Sequence, residues 1–136
     1  MEFVQYLTQQ FYLYKGWPIE PQPILLFFLN LESPWLKVAL GGMAILGAPV
    51  MEETLFRGIL YPYFKGRLGF GHATWLTSAL FAASHLHGPS FPVLFVLGMA
   101  FTLVYEWTGN LASSIAFHSF FNALSLGFLL LKQSFL

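Results

Sequence analysis

From Trp35 onward the chain runs in long apolar stretches divided by short polar ones. The first, about Trp35 to Phe64, is interrupted by Pro49 and Pro62 and followed by a polar connection from Lys65 to Gly71. A shorter one runs from His72 to about Leu86 and ends in His87-Gly88-Pro89. A third covers Phe91 to Trp107, the turn Thr108-Gly109-Asn110 follows, and the last takes Leu111 to Leu131 with Lys132 as its stop. At 1.5 Å per residue these cross, or nearly cross, about 30 Å of hydrocarbon. The expected fold is therefore all-α: a polytopic membrane helical bundle of about four core transmembrane helices. Ahead of it, Phe3, Val4, Leu7, Phe11 and Tyr14 recur at helical spacing among Gln and Thr, which predicts a short amphipathic helix at an interface. Between Gly16 and Pro34 the prolines and the short apolar run Ile24 to Leu29 predict irregular or interfacial chain. The expected division is an interfacial segment over 1–34 and a transmembrane core over 35–136.

Composition agrees with a bilayer as the solvent. Of 136 residues, 57% are hydrophobic and 9% charged, and the mean hydropathy is +0.65. Soluble domains carry about 25% charged residues. Zero net charge without a basic run excludes nucleic acid as a partner, and the absence of cysteine removes disulfides, thiolate nucleophiles and Cys-ligated metals. No basic segment leads into an apolar one with a cleavage site, so no secretory signal is expected. Lys65 and Arg67 oppose Lys37 and Lys132, which leaves orientation open; a bacterial cytoplasmic membrane is the default location.

Against this background Met51-Glu52-Glu53-Thr54-Leu55-Phe56-Arg57-Gly58 stands out. A charge at the bilayer centre costs at least about 2.5–3.5 kcal/mol, so such a cluster is a functional-site hypothesis by default. Glu53 and Arg57, four apart, are expected to pair. Glu52 lies about 100° around the helix from Glu53 and stays available. A helix restarting near Pro49 would put both carboxylates in an opening turn, where the macrodipole favours them. His85 closes the second helix, and His118 and Asn122 share a face of the last. Rise per residue puts Glu52 about 20 Å from Lys65, His85 about 20 Å from His72, and His118 and Asn122 about 12 and 18 Å from Asn110. With both polar connections on one side, these groups share a layer.

Blander roles suit the other candidates. His72 and His87 read as solvated or capping residues, and Trp17, Trp35, Trp75 and Trp107 as interface anchors. Gly41, Gly42, Gly47 and Gly98 read as close helix contacts. A carboxylate and an imidazole around water form a general-base device, and a second imidazole with an Asn amide can donate to an oxyanion, which suits hydrolysis of a peptide bond. Ser84, Ser113, Ser114 and Ser119 lie near the histidines without proposing an acyl-enzyme of comparable force. The competing classes are a bis-His haem or metal protein using His85 and His118, a non-catalytic peptide-binding or immunity protein, and a proton-coupled carrier.

Glu52-Glu53-x-x-x-Arg57, Phe81-x-x-x-His85 and His118-x-x-x-Asn122, in that order, resemble the three motifs of the CPBP family, the CAAX-type proteases and Abi-type bacteriocin-processing or immunity proteins. The resemblance extends to Gly58, Leu60, Gly98 through Tyr105, and Thr108-Gly109-Asn110-Leu111. It implies an intramembrane endopeptidase acting on a membrane-associated and, in the best-known members, prenylated peptide. Glu52 and His85 would activate water, Glu53 would pair with Arg57, and His118 with Asn122 would stabilise the oxyanion. The cofactor stays open between none and a divalent metal such as zinc, for which Glu52, His85 and His118 would be the ligands. Family members usually carry additional transmembrane helices ahead of the Glu-Glu motif. The groove wall these form is expected to be missing here or supplied by a second copy or a partner chain.

Overall fold

A computed structural model describes residues 2–20 and 22–134; the side chain of Lys132, expected as a helix stop, lies outside the described residues. Among the described residues every regular element is helical: α1 (Glu2–Lys15), α2 (Pro23–Asn30), α3 (Pro34–Gly42), α4 (Ala48–Glu53), α5 (Tyr61–Ser84), α6 (Phe91–Thr108) and α7 (Leu111–Ser134). Two wide π-helical stretches, Met43–Gly47 and Thr54–Leu60, join α3, α4 and α5 into one rod, and a 3₁₀ turn, Gly88–Ser90, leads into α6.

Among the described residues, three helical stretches are long and apolar enough to cross a membrane: Pro34–Ser84, Gly88–Thr108 and Leu111–Leu131. The first holds 51 residues and breaks once, at Gly69 (φ 75°, ψ 171°). That backbone conformation is essentially reserved for glycine. The break leaves a long arm before Gly69 and a short arm, 70–84, of about 22 Å after it. The chain is thus the expected polytopic helical bundle and an integral membrane protein.

The connection Lys65 to Gly71 is helical, not a polar loop, except at Gly69. The helix does not restart at Pro49 either, because Gly47 and Ala48 keep helical dihedrals and the wide turn before them accommodates the proline ring. Glu52 and Glu53 therefore stand in helix interior, with no free N-terminal N–H groups beneath them. Residues 16–34 are less irregular than expected, since Pro23 at the first turn starts the eight-residue α2.

The terminating signals act as their chemistry dictates. Gly109 (φ 62°) closes α6 in the left-handed conformation, its N–H donating to Tyr105 O at 2.8 Å, and Asn110 Oδ1 accepts from Ala112 N at 2.9 Å to open α7. The core consists of Phe56, Phe81, Leu97 and Phe101. α5 and α6 cross at Gly98, where an added Cβ would stand 3.1 Å from both Ser78 Cα and Ser78 Cβ. Gly41 makes a similar approach to Leu126, at 3.3 Å. Gly42 meets nothing and Gly47 meets only the Met43 side chain, so neither is the helix contact expected of it.

Candidate functional site

Glu53 is the hub of the buried polar network. It is fully buried, as is Arg57 one turn later. Arg57 Nη1 donates to Glu53 Oε1 at 2.9 Å, and the rest of the guanidinium is spent elsewhere: Nη2 on Gly98 O at 2.7 Å and Nε near Thr102 Oγ1 at 3.4 Å. The Phe81 and Phe101 rings lie 4.9 and 5.4 Å from its central carbon, so the cation also rests on π faces. Two groups reach Glu53 from α7. Ser114 Oγ donates to Oε2 at 2.6 Å and His118 Nδ1 to Oε1 at 2.9 Å. Serine and histidine, four apart, share a helix face and hold one oxygen each.

The second group of residues opens to space. Glu52, His85 and Asn122 line a cavity of about 460 Å³ with Gln22, Ile24, Leu25, Phe28, Leu40, Gly41, Met43, Ala44, Ala48 and Leu126. His118 lies behind Glu52, its Nε2 3.8 Å from Glu52 Oε2, which is beyond direct hydrogen-bond reach. Among the described residues, Glu52 Oε2 is buried and accepts no hydrogen bond, whereas both oxygens of Glu53 are engaged. His85 Nδ1 donates to Phe81 O at 2.8 Å, and so presents Nε2 as its acceptor in the neutral ring. Asn122 Nδ2 donates to Ala44 O at 2.8 Å and keeps a second N–H.

The structure thus brings Glu52, His85, His118 and Asn122 together, with Glu53 and Arg57 behind them. It separates His118 from Asn122 more than a shared helix face suggested, because His118 is 4% exposed and stacked 4.3 Å from the Phe101 ring while Asn122 faces the cavity. His72 is exposed beside Leu68 O. His87 has a structural post: Gln22 Nε2 donates to Ser90 Oγ at 2.9 Å, Ser90 Oγ lies 2.8 Å from His87 Nδ1, and His87 Nε2 donates to Glu20 O at 2.9 Å. This chain of bonds straps the start of α2 to the loop after His85. Ile24, Leu25 and Phe28 of α2 then form one wall of the cavity.

The donor types of Glu52, His85 and His118 would suit zinc, but among the described residues no three His, Asp or Glu side chains converge closely enough to hold a metal ion. The Phe81 ring packs against both imidazoles, at 5.0 Å from His85 and 5.8 Å from His118, and bis-His haem ligation would leave Glu52, Glu53 and Arg57 without a role. Sequence reasoning missed Ser114 as a partner of Glu53 and the carbonyls of Gly98, Phe81 and Ala44. Ser114, one turn before His118 on the same face, carried the one readable signal.

Residues 34–124 match the family described as type II CAAX prenyl endopeptidase Rce1-like. The chain is 33% identical over 132 residues to the membrane-embedded CAAX protease MroQ of Staphylococcus aureus, covering 93% of this chain and 51% of that protein. It is 36% identical over 76 residues to the uncharacterized protein YpbD of Bacillus subtilis, covering 53% of this chain and 36% of that protein. The chain therefore spans about half the length of the first relative and about a third of the second. No solved structure matches.

Proposed function

The chain belongs to the Rce1-like family of type II CAAX prenyl endopeptidases, and from that premise we propose that it hydrolyses a peptide bond within the membrane by direct attack of water. The observation that carries this reading is the convergence of Glu52, His85 and Asn122 on one cavity, with His118 Nε2 3.8 Å behind the Glu52 carboxylate.

Each residue has a role its hydrogen bonds support. Glu52 Oε2, which accepts no hydrogen bond among the described residues, takes a proton from water as the water oxygen adds to the carbonyl carbon. His85 Nε2 orients that water, its tautomer fixed by the Phe81 carbonyl. Asn122 gives its second N–H to the oxyanion. His118 can also donate there only as the doubly protonated ring, since its Nδ1–H is already given to Glu53. The proton on Glu52 then passes to the leaving nitrogen as the C–N bond breaks, leaving a carboxylate and an amine. Glu53 and Arg57 form the buried pair that holds His118 in place.

For the substrate, we infer a CAAX-type peptide, in keeping with the family and with the printed description of MroQ. The apolar lining, with Phe28, Leu25, Leu40 and Leu126 beside the polar Gln22, Glu52, His85 and Asn122, suits a lipid-modified or otherwise apolar chain presented from the bilayer. The test reconstitutes the purified chain in liposomes with farnesylated and unmodified CAAX peptides. The expected result is release of the terminal tripeptide, faster from the farnesylated peptide, and none from the Glu52→Gln variant. Equal tripeptide release by wild type and Glu52→Gln would overturn the assignment, and intact peptide in both would overturn the CAAX substrate.

A further inference from the structure

Pro49, three residues before Glu52, bears on the orientation of Asn122. In a regular α-helix Ala44 O would accept from Ala48 N–H, but across the wide turn Met43–Gly47 that N–H donates to Met43 O instead. Continuing the wide pattern, Ala44 O would accept from residue 49. Residue 49 is proline and has no N–H. The Ala44 carbonyl is left without a backbone donor, and in a membrane segment an unsatisfied carbonyl is costly. Asn122 Nδ2, from α7, fills the post at 2.8 Å. Ala44, Ala48 and Asn122 all line the cavity that holds Glu52 and His85.

We propose that Pro49 is a positioning residue: by removing the backbone donor for Ala44 O it captures one N–H of Asn122 and fixes the other for the reacting group. An asparagine amide turns about a broad torsion, so without the Ala44 bond its second N–H has no set direction. The catalytic half of this inference rests on the peptidase reading, whereas the capture of Asn122 does not. Pro49 is fully buried, so Pro49→Ala is paired with Pro49→Val, which also restores the N–H and keeps most of the bulk.

The test follows hydrogen exchange at the Asn122 side-chain amide in the full chain, in micelles, by NMR. The expected result is one protected Nδ2 proton in wild type and two fast-exchanging protons in both Pro49 variants. Unchanged protection in Pro49→Val would overturn the proposal. With activity in hand, Pro49→Val should lower kcat about tenfold with KM within about twofold, as losses of orienting partners do. In an Asn122→Ala background it should lower it by less than about twofold further. An undiminished tenfold loss there would mean that Pro49 acts elsewhere, against the proposal. A wild-type chain with no peptidase activity defeats the peptidase reading and leaves the exchange comparison to decide the Asn122 capture.

Discussion

Arg57 gives Glu53 one nitrogen and sends two others to Gly98 O and Thr102, so it ties α6 to the rod as well as neutralising a carboxylate. Arg57→Ala would leave Glu53 charged, buried and short of a donor, which typically costs about 3–5 kcal/mol. Arg57→Lys should recover little, since a point ammonium cannot reach three acceptors in a fixed fork. Unfolding in detergent checks both, and a melting temperature of Arg57→Ala equal to wild type would contradict the pairing. At this scale the sequence was partly legible. The spacing of Glu53 and Arg57 dictates their contact, because four residues is one helical turn. The Glu53–Ser114 and Glu53–His118 bonds span 61 and 65 residues, and no local rule fixes which face of α7 meets which face of α4.

The helices are legible in the apolar runs, and their breaks are not. Gly69 holds the rod's one non-helical residue, yet Gly66 and Gly71 in the same stretch are helical, and composition cannot say which glycine the packing selects. The wide turns around α4 were hidden because helical periodicity barely changes when one turn gains a residue. Pro49 and Pro62 marked the rod, but a wide turn rather than a restart absorbed Pro49. Gly98 was legible as a close contact, and its neighbour makes the prediction specific. A Cβ there would press on Ser78 Cα and the Phe81 ring edge, at 3.1 and 3.3 Å, while its own carbonyl holds Arg57. Gly98→Ala should cost about 1–3 kcal/mol by overpacking. Matched unfolding curves for Gly98→Ala and wild type would show that α5 and α6 do not cross so closely.

At the scale of the whole molecule, two arms of a broken rod, α6 and α7 enclose a charged layer in a chain that otherwise avoids charge. The segment ahead of Pro34 closes one side of the cavity, strapped to the His85 loop through Glu20, Gln22, His87 and Ser90. That wall was not legible, because an eight-residue apolar helix too short to span looks interfacial until its partner surface is known. α1 likewise turns Thr8 and Tyr12 toward Gly88, rather than resting only on the apolar stripe read from its sequence. The hydrolysis proposed for the Glu52 cavity can be tested without choosing a substrate. New peptide N-termini are compared, by mass spectrometry, in membranes holding wild type and Glu52→Gln at matched levels. The account predicts a set of termini that appears with wild type alone and shares a common cleavage sequence. Identical termini in the two membranes would contradict it.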